Sequence, residues 1–477
     1  MGKRTSKKTK GEAARFITRN QALRKLQLRL KDFRHLCILK GIFPKEPKKY
    51  FKGVNKTYYS LKDIKFLSNE KILQKFREIK AYEKKILKAR KKHETFDEKR
   101  LISKKPTYTI DHIIRERYPH FIDALNDVED ALCLLSIFAN LPKYDVIKIS
   151  PDKVANAQRL LREFYLYIAV AQTFKKGFLT IKGIYLNTEI SGQSITWLAP
   201  FNFPQKITFD VDYDVMLNFL ELYTNLMKFV NFKLYKDIGL QYPPPSESAD
   251  LPFFGFNSQA LNGIQQTVQA KINGEHSMNK DDVNVQSEQW KQIIAKEEEH
   301  KKLKELFKNF VFYVSREVPR EVFEMIITSC GGLYGDDADN STIKENDERI
   351  THYIVDRPAE NIELKKNKEY VQPQWVFDCV NSKKILPVSN YAPGKKLPPH
   401  VSPFYEIKED GSYAFEGEDE YRNDVEKEEK ERKEAVKDEE EKEKEKQLRE
   451  MMLSNNKKKL LKKIKEENVK KKKKVIK

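Results

Sequence analysis

The chain reads as an α+β multidomain protein: an α-rich N-terminal domain with a small β insertion, a compact α/β unit, and a charged C-terminal tail that is helical or disordered. Three observations predict this. Apolar residues recur at helical spacing through most of residues 1–242, interrupted by one β-branched stretch. Between Leu303 and Pro398, short apolar runs alternate with helical stripes. From about Glu406 the apolar periodicity fades and charge takes over. The boundaries follow: 1–100, a basic helical segment; 101–242, an α-rich core; 243–300, a flexible linker; 301–398, the α/β unit; 399–477, the tail.

Charge narrows the partners. Of the 477 residues 34% are charged, and the formal net charge is +20. Such an excess attracts polyanions, because each phosphate neutralised releases condensed counterions. Cys37, Cys133, Cys330 and Cys379 lie far apart in apolar surroundings with no C-x-x-C, as reduced thiols of an intracellular protein would. No apolar run approaches the roughly 20 residues of a membrane helix. Met1–Ser6 fits the outline of a myristoylation signal, but the lysines around it suit RNA or nuclear import better.

In chain order, Thr18 and Gln21 form a capping box, and Leu23, Leu26, Leu30, Phe33 and Cys37 then stripe one helix that Gly41 and Pro44 end. Arg24, Lys25, Arg29, Lys31 and Arg34 lie mostly off that stripe. Lysines between Lys45 and Lys56 interleave with Tyr50 and Phe51, Tyr58-Tyr59 follow, and Lys84–Lys92 repeats the basic theme. Aromatic rings beside lysines can stack on unpaired bases while the ammonium groups meet phosphates. The residues that carry this expectation of RNA binding are Arg15, Arg19, Arg24, Lys25, Arg29, Arg34, Lys48, Lys49, Lys52 and Lys56.

Residues 106–242 hold the largest apolar block. Phe121, Ile122, Leu125, Val128, Leu132 and Leu135 stripe one helix; Val154–Phe174 and Val215–Tyr235 make two more. Phe178–Leu186 and Ser194–Ala199, around Gly192, read as a small hairpin. Asp210, Asp212, Asp214 and Glu221 mimic a calcium loop, but Val215 stands where the loop needs glycine, so Asp214 is read as a helix start.

The α/β unit opens with Phe310–Val314, a buried strand. After Pro319, Val322, Phe323, Ile326, Ile327 and Cys330 line an amphipathic helix that Gly331-Gly332 closes. Leu333-Tyr334, Thr351–Asp356 and Glu369–Val371 are further strands, and a helix after Pro373 carries Trp375, Val376, Cys379 and Val380. This succession resembles the BRCT domain, a protein- and phosphopeptide-binding module without catalytic machinery. Gly331, Gly332, Trp375 and Cys379 are read as its structural marks. Phosphate-binding members follow the first strand with Ser or Thr and then Gly, and use a lysine near the last helix. Here Ser315 precedes Arg316, with Lys383 or Lys384 as the available lysine. Docking of protein partners is therefore the expected role.

Glu416–Lys446 alternates acids and lysines without a heptad seam, and Lys457–Lys477 is polybasic. No HExxH, phosphate loop or Ser/His/Asp order is present, so neither catalysis, a metal, a cofactor nor a small-molecule substrate is expected. Ordered blocks then point to one family. Phe16–Asn20, Asp32–Gly41, Lys62–Leu67, Tyr108–Ile113 and Phe121–Leu125 resemble the pescadillo N-terminus, as do Ile181–Tyr185, Asp210–Tyr213 and Phe229–Phe232. Arg316–Glu321, Val355–Pro358, Tyr370–Val380, Leu397–His400 and Met452–Ser454 continue it. The resemblance implies a non-catalytic nucleolar and nucleoplasmic factor of large (60S) ribosomal subunit assembly. It implies binding of pre-rRNA and of two WD-repeat proteins, in maturation of 5.8S and large-subunit rRNA across the second internal spacer. A rival reading is a BRCT adaptor of chromatin that reads phosphorylated partners after DNA damage, which Arg316 in the glycine position disfavours.

Overall fold

A computed structural model describes residues 15–45, 56–142, 149–201, 210–244, 299–338, 341, 343–357, 368–407 and 413–415. At the N-terminus, β1 (Phe16–Thr18) pairs antiparallel with β2 (Tyr58–Ser60), which brings α1 (Arg19–Leu26), α2 (Leu30–Leu39) and α3 (Leu61–Ser68) together. Gln21 Oε1 accepts the Thr18 N–H at 3.2 Å within the expected capping box, which is present. The single helix expected from Leu23 to Cys37 is two. Gln27 takes the left-handed conformation at φ 57, and Leu28 turns into the core between them. The apolar stripe is satisfied by either arrangement, so its period does not mark the break.

Four further helices follow: α4 (Lys71–Lys91), α5 (Thr95–Ser103), α6 (Asp111–Arg117) and α7 (Phe121–Asn126). A buried charge cluster joins α2, α4 and α6. The Lys40 side chain is only 4% exposed, and Nζ donates to Glu70 at 2.6 Å and Glu116 at 2.5 Å. His112 Nε2 lies 2.8 Å from the other Glu70 oxygen. Burial opposes ionisation of Glu70, yet Lys40 and His112 outweigh it and hold the carboxyl below its usual range. The helix expected across Phe121–Leu135 is also two, because the chain breaks at Asp127 before α8 (Val128–Ala139). Ile122 accordingly faces solvent.

Next, α9 (Pro151–Ala171) ends three residues before the expected Phe174. Gln172, left-handed at φ 52, reverses the chain into β3 (Phe174–Thr180). With β4 (Gly183–Ile190) and β5 (Gln193–Pro200) this is a three-stranded antiparallel meander rather than a hairpin. α8 supports β5, where Glu129 accepts the Thr196 N–H at 2.7 Å. α10 (Tyr213–Asp237) crosses α8 and α9, and its N-cap is Asp212, which accepts from the Val215 N–H, with Asp214 in the first turn.

The α/β unit matches its expected order. β6 (Val311–Val314), β7 (Leu333–Gly335), β8 (His352–Ile354) and β9 (Glu369–Val371) form a parallel sheet in the order β7-β6-β8-β9, with α11 (Arg320–Ser329) and α12 (Gln374–Ser382). Trp375 is fully buried: its ring stacks on His352 at 5.2 Å and Phe307 at 6.0 Å, and its Nε1–H donates to Leu386 O at 3.0 Å. Cys379 Sγ accepts the Leu386 N–H at 3.3 Å, and burial pushes its thiol up to about 12. Gly331 has φ +82, and a Cβ there would lie 2.7 Å from Lys304 O; one at Gly332 would meet Ile327 at 2.8 Å. The first glycine therefore serves conformation, the second close packing.

The α/β unit is not set apart from the helical domain. One hydrophobic core runs through both. α11 lies between its own sheet and α9, so every residue from Val322 to Ser329 is buried, while α12 rests on β3. Phe377 occupies the space beside Gly177, where a Cβ would come within 2.7 Å of its ring. The Asn381 amide accepts the Gly177 N–H at 3.1 Å and donates to Gly177 O at 2.8 Å. Arg162 donates to Glu321 at 2.9 Å. His400 lies beyond the expected boundary at Pro398 yet belongs to this seam. It stacks on Phe178 at 4.6 Å, accepts the Leu179 N–H at 3.0 Å and donates through Nδ1 to Asp378 at 2.7 Å. From Ser402 onward a second unit contains an antiparallel pair, β10 (Tyr405–Ile407) and β11 (Tyr413–Phe415), where loss of regular structure was expected. Residues 299 and 300, expected in the linker, are helical, while 245–298, 408–412 and 416–477 lie outside the described residues.

Two outcomes follow for stability. Trp375→Ala should lower the unfolding free energy by about 3–5 kcal/mol through cavity formation, checked by chemical denaturation of the whole chain. Glu70→Gln should cost about 1–3 kcal/mol at neutral pH by weakening the environment that solvates Lys40. Because the folded-state pKa of Glu70 is depressed, its contribution is complete above the unfolded value near 4.3 and fades as pH falls through the folded one. The gap between wild type and Glu70→Gln should close across that acidic window; a gap unchanged by pH would contradict the pairing.

Candidate nucleic-acid interface

The basic residues expected from the sequence to meet RNA do not form one set. Arg15, Arg24, Lys25, Arg34 and Lys56 are exposed, and Arg19 half-exposed, at the start of α1. Lys48, Lys49 and Lys52 fall outside the described residues. Arg29 is committed elsewhere: its guanidinium bridges Asp32 at 3.1 Å and Glu83 at 2.5 Å, tying α2 to α4. The hydrogen bond it donates to Glu83 raises its pKa further against burial. Lys31 is likewise paired, with Asp214 at 3.1 Å.

The period of the cations on α4 defines a surface that residue type alone does not. Arg77, Lys80, Lys84, Lys88 and Lys91 recur at steps of three and four and so share one helix face. The first two close the C-terminal end of α1. Arg77 donates to Leu26 O at 2.9 Å and Lys80 to Gln27 O at 3.4 Å, where cations suit the exposed carbonyls. The last three are exposed and have no carboxylate partner among the described residues. Off that face several charges are paired, Arg90 with Glu98 at 2.7 Å, Lys92 with Glu94 at 3.3 Å and Lys105 with Glu83 at 3.3 Å, while Lys85 lies over the Tyr82 ring at 5.2 Å. Because Arg77 and Lys80 touch the end of α1, the exposed Arg24 and Lys25 lie at the head of this row. Its uncompensated charge is what a phosphate backbone would neutralise.

The aromatic part of the expectation is corrected at Tyr59, while Tyr50 and Phe51 lie outside the described residues. Tyr59 is buried and meets the edge of Phe33 at 5.2 Å, so it belongs to the core. Exposed rings of the N-terminal helical region are instead Phe43, Phe66 and Phe96.

The place where phosphate-binding relatives of the α/β unit hold their ligand is filled from within. The Ser315 hydroxyl donates to Glu317 at 2.8 Å, and Arg357 donates to the same carboxylate at 3.0 Å. Burial opposes ionisation of Glu317, but its own backbone N–H, Ser315 and Arg357 prevail and keep it below the usual range. Arg316 is paired with Asp337, and Lys383 with Glu299. A second anion placed there would face Glu317 directly. Among the described residues no group of His, Cys, Asp and Glu is arranged to hold a metal, and no helix is long and apolar enough to cross a membrane.

Comparison with known proteins agrees with both halves. Residues 6–273 match the family model for the pescadillo N-terminus, and residues 305–392 that for the BRCT domain. A pescadillo homolog of Arabidopsis thaliana is 42% identical over 436 residues, covering 85% of this chain and 73% of the relative. One of Nematostella vectensis is 43% identical over 435 residues, covering 87% and 84%. A third, of Xenopus laevis, is 42% identical over 442 residues, covering 86% and 75%. By its two matching modules and by likeness along most of its length, the chain belongs to the pescadillo family.

Proposed function

We propose that this chain is a non-catalytic scaffold of large ribosomal subunit assembly that binds pre-rRNA through its N-terminal helices. The observation that carries the reading is the row of exposed, uncompensated cations formed by Arg24 and Lys25 with Lys84, Lys88 and Lys91. A protein whose role is to position RNA and partners needs phosphate contacts and fixed surfaces. This one supplies the first on α1 and α4 and the second by fusing its BRCT-like unit to the helical domain. Family membership directs the RNA reading to precursor rRNA of the 5.8S and large-subunit region, in the nucleolus, with two WD-repeat proteins as partners. The adaptor reading, which needs a phosphopeptide pocket, loses support because Glu317 already takes the Ser315 hydroxyl and Glu299 pairs with Lys383.

Two measurements check this. Replacing Lys84, Lys88 and Lys91 together by Glu should flatten the dependence of log K on log salt for single-stranded RNA by about 2, roughly 0.7 for each phosphate no longer neutralised. Arg29→Glu should change the slope far less, because that charge is already matched by Glu83 and Asp32. An unchanged slope for the triple variant would remove α4 from the RNA surface. Crosslinking of the whole protein to RNA in cells should enrich the junction of 5.8S, spacer and large-subunit rRNA. Reads without rRNA enrichment would defeat the assembly reading.

A further inference from the structure

The far half of α4 and the whole of α5 stand clear of the hydrophobic core. Past Ile79 no described residue of either helix belongs to it, and of the described residues from Lys80 to Ser103 only Ala89 is buried. α5 packs back on α4, clamped by Arg90 to Glu98 and, just beyond its end, by Lys105 to Glu83. Between the helices the chain reverses through His93, left-handed at φ 60, and the Glu94 N–H meets Ala89 O at 3.1 Å. That turn puts Lys91, the last residue of α4, and Phe96, the second of α5, at the same end of the hairpin. A hairpin that adds nothing to the core keeps this tip free for a partner.

The Phe96 ring is 78% exposed. Ile102, six positions on, lies about 120° away around α5, so the ring is not part of an apolar stripe that a partner helix would cover. The residues one turn along its own side are cationic instead. Lys99 has no carboxylate partner among the described residues, and Arg100 pairs with Asp97 at 2.9 Å. Lys91 ends the uncompensated row of α4 at the same tip. Of residues 80–105, eleven are Lys or Arg and four are Asp or Glu, a balance that suits a polyanion. A flat ring at an open tip among ammonium groups offers its face to a base while the cations meet the backbone, whatever the base. Bases stacked inside a duplex cannot reach such a ring, whereas splayed ones can. We propose that Phe96 is a stacking platform for one unpaired nucleotide, so that the hairpin tip selects single-stranded or looped RNA over duplex. This rests on the RNA reading above and adds to it the form of the RNA.

The test uses the whole chain. Phe96→Ala should weaken binding of an unstructured oligouridylate by roughly five-fold or more, the worth of one stacked base, and leave the affinity for an RNA duplex of equal length unchanged. Because the ring carries no charge, the salt dependence should keep its slope, whereas replacing Lys84, Lys88 and Lys91 by Glu should flatten it. Phe96→Trp should restore the affinity. Its added fluorescence should fall on binding the oligouridylate, beyond any change in wild type, which a ring that only shapes the hairpin would not do. Phe96 faces solvent, so both variants should melt as wild type does. Equal losses for duplex and single strand overturn the proposal. Unchanged affinity of Phe96→Ala for both also overturns it and leaves the ring to a protein partner; a flattened slope in the lysine variant would then keep the RNA reading standing. If the wild type binds neither RNA, both fall together.

Discussion

The contact on which the rest of the architecture depends is that between Phe377 and the bare backbone at Gly177. Only a residue without Cβ lets the ring of α12 lie against β3, and Asn381 then completes the hydrogen bonding of that same residue. Around it, His400 satisfies the next free amide of the strand while Asp378 fixes its tautomer. A polar clasp inside an apolar seam is specific in a way that apolar packing alone is not, because a slipped register would leave buried groups unsatisfied. The seam also accounts for a helix buried on all sides. α11 belongs to the sheet by one face and to α9 by the other, and Glu324 is carried into the interior, where burial and nearby Asp336 and Glu321 raise its carboxyl well above the usual range.

Cations in this chain do three kinds of work, and only the structure separates them. Lys40 is internal and joins three helices. Arg29, Arg77 and Lys80 fasten the turn between α1 and α2 to α4. Lys84, Lys88 and Lys91 face solvent with no acid to match them among the described residues. A net positive balance therefore overstates the uncompensated positive surface, while the periodic subset on one helix face locates it.

Much of the α/β unit is legible in the sequence because its signals are local. Strand, helix, glycine pair, strands and a tryptophan helix are each set by neighbours in sequence, and Gly331 and Trp375 occupy the places their residue types demand. The breaks at Gln27 and Asp127 are not legible, since an apolar stripe continues in phase across them. Nor is the third strand of the meander, whose start follows from Gln172 turning left-handed at the end of α9. The seam leaves no local trace: Gly177 and Asn381 meet across 204 positions. Arg29 and Arg24 look alike in sequence, and what divides them is Glu83, 54 residues from Arg29. The three-four period from Arg77 to Lys91 is written in the sequence, but a reading by composition alone does not separate it from the basic residues around it.

Joined at Gly177, the helical domain and the BRCT-like unit form one cooperative structure. Native-state hydrogen exchange of the whole chain tests this directly, comparing the Leu186 amide in β4 with the Val314 amide in β6, in wild type and in Gly177→Val. Both amides should exchange through openings of the same free energy, and the substitution should lower the two together. If Val314 keeps its protection while Leu186 loses it, or if the two open at different free energies in the wild type, the halves are separate domains that merely touch.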